Sequence, residues 1–246
     1  MMQPLLELLI PTLECRRKKR EALLAELKGQ IERYRLNKTV APRCYLDNGE
    51  ESLGAKRNSL LFNATADYVA FVDDDDRVAP DYVPSLVEAI YGVSPDVVTF
   101  RTKRTVDGDE STAETLIYDL AQRGIPTEQS DIHLLPPNHL CVWRTDIARR
   151  MKFADDLEYG SDQVWWKALL LARAAQTQRH IPRTLYHYDY HSDNDGVRHD
   201  NARESQRMMG PGWKRAVYRD IETGALFALV DGVPEDAEYL GDVRLS

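Results

Sequence analysis

Apolar residues in the first hundred positions fall into short runs separated by longer amphipathic stretches. Residues 5–10 (Leu-Leu-Glu-Leu-Leu-Ile), 40–46 (Val-Ala-Pro-Arg-Cys-Tyr-Leu) and 68–72 (Tyr-Val-Ala-Phe-Val) have strand length. They are bounded by turn formers and charges, so the pattern predicts three strands, with a fourth over 97–101. Between them, Leu23, Leu24, Leu27, Ile31 and Tyr34 recur at helical spacing, as do Leu53, Leu60, Leu61 and Ala64 within 52–66. A further helix is expected over 82–91. Strands alternating with helices predict an α/β fold whose mostly parallel sheet carries helices on both faces.

The second half is less regular. Residues 106–114 are rich in Asp, Gly, Ser and Thr and predict an exposed turn or hairpin. Pro136-Pro137-Asn138-His139 precedes an apolar strand candidate at 140–143. Val164, Trp165, Ala168, Leu169 and Ala172 form a helical stripe, and 184–190 is rich in β-formers. Beyond Asp200 the chain is polar and basic with weak periodicity. These features predict one domain over 1–200, divided near 103, and a C-terminal extension over 201–246.

With 43% hydrophobic and 29% charged residues, the 246-residue chain has an ordinary globular balance. No apolar run approaches the roughly 20 residues that span a bilayer. The N-terminal apolar segment lacks a preceding basic region and a small-residue cleavage site, so it reads as a strand rather than a signal peptide. Three cysteines, Cys15, Cys44 and Cys141, form no CxxC pair. They point to a reduced, cytoplasmic protein without disulfides or structural zinc. A formal charge of −8 argues against a protein that coats nucleic acid by bulk electrostatics. The basic cluster Arg16 to Arg20 is a local exception, readable as a phosphate or anionic-surface contact or as the solvated start of a helix.

The third strand ends in four successive carboxylates, Asp73, Asp74, Asp75 and Asp76. Four adjacent like charges gain nothing for folding unless a cation neutralises them, and hard oxygen ligands suit Mg²⁺ or Mn²⁺. The other reading is a solvated acidic turn ahead of the helix near Pro80. Open α/β sheets place ligands at the C-terminal ends of their strands, and other features gather there. Pro11, Thr12 and Asp47 could hold a base, Lys56 or Arg57 a diphosphate, and Asp75 a metal.

The ordered set Ile10-Pro11-Thr12, Leu46-Asp47-Asn48-Gly49, Gly54-x-Lys56-Arg57-Asn58 and Asp67 to Asp76 resembles the GT-A glycosyltransferases, within them the inverting family 2 group. The resemblance is good over about the first hundred residues and carried by isolated motifs thereafter. It implies a GT-A, Rossmann-like fold with a nucleotide-binding half (1–103) and an acceptor half (104–200). It also implies roles. Thr12, Glu14 and Asp47 would surround the base, Arg57 the base or phosphates, and Asp73 the ribose. Asp75 would ligate the cation, with Asp76 or Asp74 assisting.

An inverting transfer needs a general base for the acceptor hydroxyl. By the same resemblance this is Asp162, although Ser161 stands where the family has an acidic residue, and Asp156 and Glu158 are substitutes. Ser161 or Asp162 could instead simply cap a helix. His187 and His191, on one face of a strand, are candidates for a position near the metal or diphosphate. The implied activity is metal-dependent transfer from a nucleotide-diphosphate sugar, most plausibly a UDP-sugar, to a glycan, protein, metabolite or hydroxylated DNA base. The alternatives are nucleotidyl transfer, for which the usual Gly-rich phosphate loop after the first strand is replaced by Pro11 to Glu14, and a non-catalytic nucleotide-sugar-binding module.

Overall fold

The computed structural model describes residues 3–122, 127–129, 131–157, 160–190, 214–220, 226–229 and 237–244, so Glu158 and His191 lie outside the described residues. Strand β1 (Leu6–Leu13) lies between β2 (Val40–Asp47) and β3 (Tyr68–Phe71), parallel to both. Its side chains divide by parity. Leu6, Leu8 and Ile10 enter one core and Leu9 the other, while β3 sends Tyr68 and Ala70 to the first and Val69 and Phe71 to the second. Strands covered on both faces need apolar residues at successive positions, which is why these runs are nearly continuous.

Helices α1 (Arg17–Arg33) and α3 (Tyr82–Ile90) close the first core, through Leu23, Leu27, Ile31, Tyr82 and Leu86. Helices α2 (Leu53–Asn63), α4 (Thr145–Ala148) and α5 (Ser161–Leu171) close the second, through Leu60, Leu61, Ile147, Val164 and Trp165. Among the described residues, no helix is long and apolar enough to cross a membrane.

Strand β9 (Val142–Arg144) inserts antiparallel between β3 and β5 (Val97–Val106), and β10 (Gln178–Tyr190) runs parallel to β5. Thus β1, β2, β3, β5 and β10 share one direction and their C-terminal ends gather at one edge. The expected hairpin joins β5 to β6 (Asp109–Tyr118). Its two connecting residues, Asp107 and Gly108, have φ of 53° and 73°, the left-handed pair that a type I′ turn requires. Strands β7 (Thr127–Gln129) and β8 (Ile132–Leu135) extend this edge.

The C-terminal segment holds more order than its periodicity predicts. Strands β11 (Lys214–Asp220), β12 (Leu226–Leu229) and β13 (Ala237–Arg244) form an antiparallel sheet of their own. Leu226 joins the second core, and its N–H donates to the Arg150 carbonyl at 2.9 Å.

Two local devices shape the edge where the strands end. After β3 the acidic run turns back, with the Asp76 N–H donating to the Asp73 carbonyl at 3.2 Å. A two-residue strand, β4 (Arg77–Val78), which the sequence pattern does not announce, then pairs with β10. That pairing lays Tyr186 under the turn. Its hydroxyl accepts from the Asp73 N–H at 3.1 Å and donates to Asp76 Oδ2 at 2.7 Å. Burial, then the charges of Asp73 and Asp75, push the Asp76 carboxyl well above the ordinary range.

The second device ties α2 to the segment before α5. Asn58 exchanges two 2.8 Å hydrogen bonds with the Phe153 backbone. Ser52 caps α2 by accepting from the Ala55 N–H at 3.1 Å, and its hydroxyl donates to the Asp155 carbonyl at 2.8 Å. Gly54 permits the approach, since a Cβ there would collide with the Ala154 carbonyl oxygen, a backbone atom with nowhere to go.

Gly54→Ala is expected to lower stability by about 1–3 kcal/mol, the usual cost of overpacking. Gly29→Ala, in α1 with open space around it, should instead gain about 0.5–1 kcal/mol. Urea unfolding of both variants tests this, and a Gly54→Ala protein as stable as wild type would refute the close approach. Asp76→Asn keeps an oxygen for Tyr186 and removes the charge. A carboxyl raised in the folded state holds its proton more tightly there than in the unfolded chain. Wild-type stability therefore falls as pH rises from about 4 toward the folded value. The variant's stability relative to wild type should grow over that range; a difference that stays constant with pH would contradict the buried placement.

Candidate active site

The acids at the end of β3 do not share one environment. Arg57, from α2, places Nη2 at 3.1 and 3.3 Å from the two Asp73 oxygens. Thr12, at the end of β1, donates from Oγ1 to Asp74 Oδ2 at 2.6 Å. Arg16, in the single 3₁₀ turn Glu14–Arg16, reaches Asp74 at 2.9 Å and Asp75 at 3.0 Å. Asp76 is committed to Tyr186, beneath the turn. The basic cluster is accordingly split. Arg16 neutralises the chain's own acids, Arg20 donates to the Leu13 carbonyl at 3.3 Å, and Arg17 pairs with Glu21 in solvent.

Asp47, at the end of β2, forms an ion pair with Lys56 of α2, both side chains being under 10% exposed, and accepts the Glu51 N–H at 2.9 Å. Burial would raise the Asp47 carboxyl, but Lys56 and the N–H groups of Glu51 and Gly49 outweigh it and hold it down. Pro11 pairs with Tyr45 across β1 and β2 and is buried, whereas Glu14 is exposed and reaches Arg20 at 3.6 Å. Pro11, Thr12, Asp47, Lys56, Arg57, Asp73, Asp74 and Asp75 thus come to one edge of the sheet.

A cavity of about 310 Å³ opens beside them. Arg57, Asp73 and Asp75 form one wall, Asp162 and His139 the next, and Leu116, Tyr118 and Leu135 an apolar side. His139 was not foreseen as a site residue. Its signal was the preceding Pro-Pro-Asn, a rigid turn that Asn138 clamps. The Asn138 carbonyl accepts from Trp143 Nε1 at 2.8 Å and from the Cys141 N–H at 3.2 Å, and its side-chain oxygen accepts from the Leu140 N–H at 3.0 Å. The turn presents the imidazole, its side chain 11% exposed, between two acids. Nδ1 lies 3.2 Å from Asp162 Oδ2 and Nε2 lies 3.7 Å from Asp73 Oδ2, ionic contacts without aligned hydrogen bonds. Arg57, Asp73, His139 and Asp162 form a row in which nitrogen-bearing side chains alternate with carboxylates.

Aromatic packing backs this row. Phe153 stacks on Trp165 with ring centroids 4.7 Å apart and meets Phe71 edge-on at 5.3 Å. The Arg57 guanidinium lies 5.7 Å from the Phe153 centroid, within cation–π reach. Asp162 stands in the first turn of α5, where the helix dipole favours negative charge. The helix is capped by Gly160, at φ 78°, without a side-chain bond. The Asp162 carboxylate is therefore free of capping duty and faces His139. Burial would raise Asp162 and Asp73, but His139 and Arg57 prevail, holding Asp162 down to about 2 and Asp73 well below the carboxylate range. For His139, burial and Arg57 oppose the proton, yet Asp162 and Asp73 raise its pKa above the ordinary value.

Other expected residues stand apart. Asp156 is exposed and does not line the cavity. His187 follows Tyr186 on β10, so it points to the opposite face from the acidic turn. Burial, then the charges of Arg77 and Lys103, lower its pKa, and two neighbouring cations disfavour a third. Among the described residues, no group of three or more His, Cys, Asp and Glu side chains could by itself hold a metal ion.

Comparison with known proteins agrees with this architecture. No curated protein sequence matches the chain. Three structures of TarS from S. aureus are similar in fold. The complex with UDP is 15% identical at a TM-score of 0.50, with 76% of this chain aligned to 60% of that one. The complex with UDP-GlcNAc is 16% identical at 0.50, over 76% and 58%. The 1–349 form is 16% identical at 0.50, over 85% and 65%. The chain spans about three fifths of the length of these TarS structures. The sequence profile of Glycosyl transferase family 2 matches residues 31–157, just over half of the 246, a stretch that includes β2, α2, the acidic turn and His139. The chain belongs to glycosyl transferase family 2.

Proposed function

We propose that this protein transfers a sugar from a nucleoside-diphosphate sugar, of the UDP class, to an acceptor hydroxyl with inversion at the anomeric carbon. The observation that carries this reading is the row Arg57, Asp73, His139 and Asp162 along one cavity that also holds Asp75. Donor-side groups stand at one end of that row and the Asp162 carboxylate at the other. A displacement with inversion needs such a separation, because nucleophile and leaving group occupy opposite faces of the reacting carbon. TarS, whose structures contain UDP and UDP-GlcNAc, has the same fold and lends support to the donor class.

In this reading Asp47 and Lys56 line the base end, and Asp73, held by Arg57, meets the ribose. The acceptor oxygen forms its bond to the anomeric carbon as the bond from that carbon to the diphosphate oxygen breaks, its electron pair leaving with the diphosphate. The acceptor proton passes to Asp162. That proton is lost after the oxygen has begun to carry positive charge, so a carboxylate of low basicity suffices. Arg57, desolvated against Phe153, adds positive charge on the leaving-group side.

Asp75 offers a hard oxygen at the cavity wall, 16% exposed and next to Asp73. One or two carboxylates completed by substrate phosphates suit Mg²⁺ or Mn²⁺. The residues therefore fit a divalent cation bound together with the donor, with Asp75 as its protein ligand, and such an ion would supply charge stabilisation for the leaving diphosphate. The free cysteines Cys15, Cys44 and Cys141 fit a reducing, cytoplasmic setting. The acceptor is to be found by screening, with glycans, proteins, small metabolites and hydroxylated DNA as panels.

UDP binding measured by calorimetry should strengthen on adding Mn²⁺, and Asp75→Ala should abolish that increment while leaving the melting temperature near wild type. Binding indifferent to Mn²⁺ would remove the cation from the mechanism. Asp162→Asn should cut transfer by roughly 10²–10⁴-fold, the usual worth of a positioned base, with UDP affinity unchanged. A variant that turns over at the wild-type rate would exclude Asp162 as the base.

A further inference from the structure

We propose that His139 is a positioning residue for the base: its imidazole, wedged between Asp73 and Asp162, holds the Asp162 carboxylate aimed at the acceptor side of the cavity. The inference rests on Asp162 serving as the base.

The geometry leaves the carboxylate few other supports. Asp162 makes no helix cap, and its side chain, 27% exposed, has His139 Nδ1 at 3.2 Å. The same ring faces Asp73 with Nε2 at 3.7 Å. The backbone that carries the imidazole is held on both sides, by the clamped turn around Asn138 and by the buried Leu140 and Cys141. The charged groups that face it are Arg57 from α2, Asp73 from the end of β3 and Asp162 from α5. Without the imidazole, Asp73 and Asp162 would face each other across the cavity with no donor between them. In that setting a carboxylate takes up a proton or turns toward water, and either outcome disables a base that is still present in the sequence.

The two ring nitrogens have different partners, which allows a geometric test. An Asn side chain carries its amide where Nδ1 lies and can still donate to Asp162. A Gln side chain carries its amide where Nε2 lies and can reach only toward Asp73. His139→Ala should lower kcat at least about tenfold, a part of what the base supplies, with donor KM and UDP affinity within about twofold of wild type. His139→Asn should recover most of that loss and His139→Gln should not. In an Asp162→Asn background His139→Ala should cost little more, because residues acting through one group are not additive. Circular dichroism and UDP calorimetry on each variant verify the fold. Equal losses from His139→Ala in both backgrounds, or recovery by Gln as full as by Asn, would overturn the role of His139 and leave Asp162 as the base. Wild-type turnover in Asp162→Asn alone would overturn the base assignment, and this role with it.

Discussion

Mutual repulsion among four adjacent carboxylates at the end of a buried strand organises much of what surrounds it. Two unit charges about 5 Å apart at an effective dielectric constant near 20 repel by about 3 kcal/mol, and a run of four contains several such pairs. The protein separates them by giving each acid a partner from a different element. Asp73 takes Arg57 of α2, Asp74 takes Thr12 of β1, Asp75 takes Arg16, and Asp76 takes Tyr186 of β10. Each of these elements must therefore arrive at the same edge. The parallel order of β1, β2 and β3, and the pairing of β4 with β10, bring them there.

The antiparallel strand β9 has a matching importance. It lies between the parallel strands β3 and β5, and the residues on either side of it carry the rest of the cavity. The turn that enters it presents His139. The chain that leaves it passes through α4 and Phe153 to α5 and Asp162. One reversed strand thus places the wall that carries His139 and Asp162 against the acidic edge of an otherwise ordinary open sheet.

Much of this was legible in the chain. Continuous apolar runs marked β1 and β3 because both faces are covered, and the acidic run marked the end of a buried strand. The buried face of α2 is only partly legible, for an electrostatic reason. Helical spacing groups Leu53 with the buried Leu60, Leu61 and Ala64, whereas Leu53 is 41% exposed while Lys56 and Arg57 are 4% and 3% exposed. Long cations enter a protein interior only where anions await them, and Asp47 and Asp73 lie far away in the sequence. Asp75 and Asp76 are chemically identical neighbours, distinguished only by the side of a turn they face, which no pattern of residue types encodes. His139 was hidden in the same way, as a lone histidine whose partners are distant in the chain. Two residues are too few to show a period, so β4 gave no signal.

The seam between α2 and residues 153–155 bears on how this scaffold can be recombined. Asn58, Ser52 and Gly54 bind that segment through its main chain, so the attachment is nearly blind to the side chains at 153–155. The backbone path leading to Asp162 is thus held by main-chain contacts, to which the Phe153 ring adds its packing on Phe71 and Trp165. A chimera that borrows an acceptor-recognising region from a relative should therefore keep α2 and the stretch to the start of α5 from a single parent. Crossovers belong outside that unit.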